Sequence, residues 1–204
     1  IADTLIVGRF LGAEALAAVG SSYTLMTFLT SILLGLSMGS GAVFSIHYGE
    51  KNEEKLKESM AAAFWLIFAV ALALNIFVFL CIHPIMSFLQ VPEEIYDMMQ
   101  EYLWIVFWGI FASFLYNYFA SLLRAVGNSV VPLVFLAISA VLNIILDLWF
   151  VLGLKWGVAG AAVATVFSQY VAGLGIFFYS GIKLPYFRGI GKYMRPTWEM
   201  MKEI

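Results

Sequence analysis

Apolar residues fill this chain in long stretches divided by short polar punctuation, and that alternation predicts a series of membrane-length helices. Residues 1–11 read as the end of one helix, closed by Gly12 and the tight Gly12-Ala13-Glu14 connection. A long helix follows from about Ala15 to Ile46, carrying Gly35, Gly39 and Gly41, small residues that permit close helix approach. The charge run HYGEKNEEKLKE, His47 to Glu58, reads as a solvated loop. A third helix spans about Ser59 to Ile82 and stops at His83-Pro84, with Asn75 placed mid-span to hydrogen-bond another helix. Pro92-Glu93-Glu94 opens a fourth helix that reaches about Leu123, its acids sitting at the positive end of the helix dipole. After the Arg124–Asn128 turn comes a fifth helix with Pro132 in its first turn, where proline is tolerated, ending near Leu152. Gly153–Gly157 turns the chain into a sixth helix, about Val158 to Gly181. Its stripe of Gly157, Ala161, Ala164, Ser168, Ala172 and Gly175 invites another backbone to press against it.

Composition fixes the class. Of 204 residues, 63% are hydrophobic and 12% charged, with a mean hydropathy of +0.94; soluble domains run about 45–50% apolar and about 25% charged. The expected fold is an all-α integral membrane protein, a six-helix transmembrane bundle over residues 1–182 with its first helix truncated. Long continuous apolar runs exclude a β-barrel, whose strands alternate. A net charge of −2 makes no case for nucleic acid, and the single Cys81 excludes an intrachain disulfide or a cysteine metal cluster. His47 and His83 are isolated at helix ends, so no metal site is expected. Residues 183–204 are basic and aromatic, broken by Pro185 and Pro196, and read as an interfacial linker. The chain opens at Ile1 inside an apolar run, which reads as an internal fragment of a longer membrane protein.

One stretch does not fit a purely structural membrane helix. Within SAVLNIILDLWFVLG, Ser139, Asn143 and Asp147 recur every four residues, forming one stripe that drifts about 40° per step. An ionised carboxylate at such a position costs at least ~2.5–3.5 kcal/mol. It is kept either to fix packing against a neighbouring helix or to carry an ion or proton, and intramembrane acids are functional by default.

Topology turns that residue into a site. Alternating the loops between two sides puts Lys51, Lys55, Lys57, Arg124, Lys183, Arg188, Lys192, Arg195 and Lys202 on one face, against Arg9 and Lys155 on the other. The positive-inside rule makes the first face cytoplasmic, so helix one exits outward. Asp3, Asn143, Asp147 and Thr165 then share a depth, roughly 7–14 Å below the outer surface at ~1.5 Å per residue. Two carboxylates close together in a low-dielectric site cannot both stay ionised cheaply: one takes a proton or a cation sits between them. Asn143 and Thr165 add neutral oxygens, which suits a hard monovalent cation or a proton relay, the chemistry of a coupling site in a secondary transporter.

The segments Ala2-Asp3-Thr4 to Gly8, Leu11-Gly12-Ala13-Glu14 to Gly20, Arg124-Ala-Val-Gly-Asn128, Leu142-Asn143 to Asp147, and Gly157 to Thr165 resemble the multidrug and toxic compound extrusion (MATE) transporters, in order and in register over essentially the whole chain. The resemblance implies one six-helix lobe of a twelve-helix, two-lobe antiporter, here the amino-terminal one, with the linker leading to a missing carboxy-terminal lobe. It implies export of organic cations and drugs across the plasma (inner) membrane in exchange for Na⁺ or H⁺, with no other cofactor. It assigns the coupling site to Asp3, Asn143, Asp147 and Thr165, the four residues already grouped by depth. Tyr116 and Asn117 are candidates for the inner, substrate-lining wall. Members often carry Pro after the helix-five Asp; here Leu148 stands there, which bears on how the backbone bends.

A lipid or lipid-linked oligosaccharide flippase of related architecture is the alternative. It needs a wide and often basic cavity, whereas the mid-helix charges here are acidic. An intramembrane aspartyl protease would pair two acids, yet the Gly-x-Gly-Asp motif is absent. A purely structural scaffold is the third reading.

Overall fold

The computed structural model describes residues 2–193 together with Trp198, Lys202 and Ile204. Regular structure among them is entirely helical. In order it comprises α1 (Ala2–Phe10), α2 (Ala13–Gly49), α3 (Glu53–Leu80), α4 (Ile82–Phe88), α5 (Glu93–Val106), α6 (Gly109–Ala125), α7 (Val130–Asp147), a π-helical turn (Leu148–Gly153) and α8 (Gly157–Lys183). Two 3₁₀ turns, Pro185–Phe187 and Ile190–Tyr193, follow. Four segments are long and apolar enough to cross a membrane: α2, α3, α7 with its π turn, and α8. A fifth span forms when α5 and α6 are taken together, bent by 44°. With the short α1 they make a six-membered helical bundle.

Three expectations are corrected. The charge run 47–58 is not a loop: α2 continues to Gly49 and α3 begins at Glu53, leaving only Glu50–Asn52 between them. Asn52 caps α3 by accepting a hydrogen bond from the Lys55 amide at 3.1 Å, and Glu53 and Glu54 sit at the positive end of its dipole. These helices simply extend past the apolar zone, so charge density marked the membrane edge rather than the helix end. The third helix ends at Leu80, close to the expected Ile82, but His83-Pro84 is not its stop, for both lie in the first turn of α4, where proline's missing N–H is harmless. Finally, the fourth span is broken at Phe107–Trp108 into α5 and α6 with no proline at the break.

Small residues set the packing of α8 on its neighbours. A Cβ on Gly173 would lie 2.9 Å from the Ala112 backbone oxygen of α6, and one on Gly175 would lie 2.6 Å from the Phe135 ring of α7. The close backbone approach thus falls at Gly173, one residue off the expected stripe, while Gly175 on the stripe makes room for the Phe135 ring. In α2, Gly41 abuts Ser121 of α6, whereas Gly35 faces open space. Aromatic rings fill the core: Phe64 packs against Phe114 and Tyr118 with centroids 5.3 and 5.5 Å apart, and the buried Tyr118 hydroxyl donates to the Met60 carbonyl at 2.6 Å.

The linker folds back under the lobe. Tyr186 meets Tyr48 edge-on at 6.2 Å, Phe187 packs on Phe119 at 5.9 Å, and the Tyr193 hydroxyl donates to Glu54 at 3.4 Å. Arg195 and Pro196, which the sequence reading placed in this linker, lie outside the described residues.

Candidate functional site

Helix α7 carries Ser139, Asn143 and Asp147 toward α8 and α1, and each of the three does something different. The Ser139 hydroxyl donates to the Ser168 carbonyl at 2.9 Å, clipping α7 to α8. Asn143 donates from Nδ2 to the Thr165 hydroxyl oxygen at 3.4 Å. Asp147 is fully buried, and neither of its carboxyl oxygens receives a hydrogen bond from the described residues. The group it meets is the carboxyl of Asp3 on α1. Two carboxyl groups bond to one another only when one of them carries a proton.

Thr165 connects the rest. Its hydroxyl reaches two acceptors, Asp3 Oδ2 and, one turn back at 3.0 Å, the Ala161 carbonyl. A threonine has one hydroxyl hydrogen. That hydrogen is shared between the Asp3 carboxyl and the Ala161 carbonyl, which ties α8 to α1. Asp3, Asn143, Asp147 and Thr165, from three elements distant in sequence, are thus gathered in one place.

Directly after Asp147 the helix widens into the π turn Leu148–Gly153. The Leu154 amide reaches back five residues to the Trp149 carbonyl at 2.9 Å, and the Trp156 amide reaches six residues back to Phe150 at 3.0 Å. The backbone thereby leaves regular α geometry just beyond the acid without a proline, which is how the chain accommodates Leu148. Single π turns inside α-helices are frequent at functional sites.

The group opens on a cavity of about 450 Å³ whose wall includes Asp3, Asn143, Thr165, Tyr102, Asn117 and Gln169. Asp147 is behind this wall rather than on it. Asn117 faces the cavity while its Nδ2 donates to the Ser113 carbonyl at 2.9 Å. Tyr116 is not on the wall: its hydroxyl donates to the Pro132 carbonyl at 2.9 Å, joining α6 to the start of α7.

Two further residues belong to the site and were not singled out for it by sequence. Tyr102, 5% exposed on α5, shares the cavity wall with Asp3 and Thr165 and lies beside both. Gln169 on α8 tucks its carboxamide oxygen over Gly109, buried and with no hydrogen-bond donor among the described residues. Sequence gave no handle on either, since aromatic and amide side chains in membrane helices usually serve packing.

Much of the remaining wall comes from α2, where Tyr23, Thr27, Thr30 and Ser31 face the cavity. Their spacing at i, i+4, i+7 and i+8 is one helix face, a signal readable from sequence. Thr27, Thr30 and Ser31 donate to carbonyls of their own helix at 2.8, 2.8 and 2.6 Å. Each hydroxyl hydrogen is therefore spent on the helix, and the oxygen lone pairs remain for the cavity.

Comparison with known proteins agrees with this architecture. The family model MatE matches residues 1–149. The chain is 33% identical over 177 residues to a probable multidrug resistance protein, YpnP, of Bacillus subtilis, covering 87% of this chain and 40% of that protein. It is 28% identical over 178 residues to a FAD transporter of Shewanella oneidensis, covering 84% and 39% respectively. Among solved structures it superposes, with a TM-score of 0.92 and 25% identity, on an inward-facing multidrug resistance MATE family transporter of the MOP superfamily, covering 99% of this chain and 46% of that one. The chain thus spans a little under half the length of these relatives. The model's match over residues 1–149 takes in both Asp3 on α1 and the Asn143–Asp147 pair on α7, and the chain belongs to the MatE family.

Proposed function

We propose that the chain forms the amino-terminal lobe of a secondary active antiporter that expels organic cations, drugs among them, in exchange for Na⁺ or H⁺. The observation that carries this reading is the buried Asp147 carboxyl, which has no hydrogen-bond donor among the described residues and faces a second carboxyl, Asp3. Such a pair is stable when it shares a proton or a monovalent cation. Loading the site neutralises it; emptying it leaves two charges facing each other in a low-dielectric place. That difference is what an exchanger needs, because a ligand shifts a conformational equilibrium only through its unequal affinity for the two states. Asp3 and Asp147 carry the ion, and Asn143 and Thr165 supply neutral oxygens.

The cavity supports a cationic cargo. Its wall holds Asp3 and a row of hydroxyl lone pairs on α2, and no Lys or Arg among the described residues. Cargo occupying the cavity competes with the ion for Asp3, so binding one favours release of the other. The open side, along the outward face of α2, is where a second six-helix lobe closes the cavity. The basic connections lie on the cytoplasmic face of the plasma membrane, following the positive-inside rule.

The test uses the full-length protein in proteoliposomes with imposed Na⁺ or proton gradients, offering an organic cation and a flavin dinucleotide in parallel. Gradient-driven uptake of the cation is expected, lost in Asp147→Asn at normal insertion. Undiminished coupled transport by Asp147→Asn contradicts the coupling role, and transport of the flavin alone contradicts the cargo.

A further inference from the structure

The break in the fourth span has a physical account that the ion site does not use. In a membrane, backbone groups released by a helix break must find partners within the protein. Around Phe107–Trp108 the chain tightens: the Trp108 amide donates to the Ile105 carbonyl and the Ile110 amide to the Phe107 carbonyl, both three residues back at 3.2 Å. Side chains from two other helices then take hold. Asn75 of α3, 6% exposed, donates from Nδ2 to the Phe107 carbonyl at 2.9 Å. Tyr170 of α8 donates its hydroxyl to the Trp108 carbonyl at 2.7 Å. Gln169, next to it, fills the notch above Gly109. Two adjacent carbonyls at one bend are thus held from opposite neighbours.

What the bend carries makes this more than packing. On one side of it, α5 brings Tyr102 and Val106 to the cavity; on the other, α6 brings Ser113 and Asn117. Tyr102 is the α5 residue that lies beside Asp3 and Thr165 on that wall. It lies five residues before Phe107, about 7.5 Å along the axis at ~1.5 Å per residue, so a change of ~10° in the bend moves it by about 1 Å. A displacement of that size in a precisely arranged site can cost on the order of 10²-fold in function.

We propose that Asn75 and Tyr170 are positioning residues of the ion site: by gripping the Phe107 and Trp108 carbonyls from α3 and α8 they fix the 44° bend between α5 and α6, and the bend sets Tyr102 against the Asp3–Asp147 pair. Neither residue lies on the cavity wall, and neither touches ion or cargo. The inference rests on the antiporter reading for its functional consequence, though the grip on the bend can be tested without it.

The experiment therefore has two readouts on the full-length protein. Spin labels on cysteines at the exposed positions Asp97 (α5) and Arg124 (α6), in a cysteine-free background, report the bend as a distance distribution. Proteoliposome transport reports the half-saturating concentration of the coupling ion separately from the KM for cargo. Tyr170→Phe removes one hydroxyl and leaves the fold intact; Asn75→Leu removes the other grip, and Asn75→Gln keeps an amide donor. Expected are a broadened or shifted distance in Tyr170→Phe and Asn75→Leu, and an ion half-saturation raised about 3- to 10-fold, the size of one lost hydrogen bond. The cargo KM stays unchanged, and Asn75→Gln recovers part of the effect. An unchanged distance in both variants overturns the grip. A changed distance with unchanged ion half-saturation, or with ion and cargo constants moving together, overturns the positioning role. Wild-type protein showing no ion-coupled transport refutes the antiporter reading instead, and the distance measurement still decides whether the grip exists.

Discussion

Two spans of this lobe depart from regular α-helix, and they do so in opposite ways. At Phe107–Trp108 the backbone breaks and its carbonyls are satisfied by Asn75 and Tyr170. At Leu148–Gly153 the helix widens into a π turn, and the side chain just before it, Asp147, has both oxygens without a hydrogen-bond partner among the described residues, next to another acid. The first interruption is closed by its surroundings and behaves as structure. The second is held open by them, and an unsatisfied buried carboxyl is a place where something else binds. Where a membrane protein leaves a polar group unsatisfied is thus more informative than where it bends.

The contrast can be broken by substitution. The largest stability effect is expected at the helix contact that both interruptions rely on: Gly173→Val drives a side chain into the Ala112 carbonyl of α6. Overpacking of this kind costs about 1–3 kcal/mol, more where backbone must move, and is read as a lowered midpoint of thermal unfolding in detergent.

Next come the two interruptions themselves, where the predicted signs differ. Asn75→Leu leaves the Phe107 carbonyl with the Ile110 amide alone and costs about 0.5–1.5 kcal/mol, the size of one lost hydrogen bond. Asp147→Leu removes a buried carboxyl that nothing satisfies, so the unfolding midpoint stays level or rises while function is lost, the usual trade at a strained site. Equal destabilisation by both would erase the distinction between them.

The smallest effect is expected at Tyr116, whose hydroxyl joins α6 to the Pro132 carbonyl away from the cavity wall. Tyr116→Phe costs about 0.5–1.5 kcal/mol, and cargo KM stays unchanged. A large change in KM would return Tyr116 to the cargo path.

The four acid-site residues could be read from the chain because burying a charge in an apolar span is expensive and loop charges fix depth. Asp3, Asn143, Asp147 and Thr165 needed only helix rise and the sidedness of lysines and arginines to be grouped. Asn75 was legible for the same reason, as a lone amide in an apolar run. The bend at Phe107 was not, since Phe-Trp-Gly contains no proline and the grip on it comes from α3 and α8, far away in sequence. The π turn was equally hidden: Leu148 to Gly153 is as apolar as any helix, and only the hydrogen-bond pattern distinguishes it. The 47–58 run misled because charge marks where water begins, while Asn52 and the paired acids mark where a helix begins.

The central claim is that Asp3 and Asp147 share one proton or cation which cargo displaces. Its most direct measurement is ion release: full-length protein in weakly buffered detergent is given an organic cation, and released H⁺ or Na⁺ is followed with an electrode. Release accompanying cargo binding in the wild type, absent in Asp3→Asn and in Asp147→Asn although Asp147→Asn still binds cargo, is the predicted result. Release of undiminished size in either variant contradicts it.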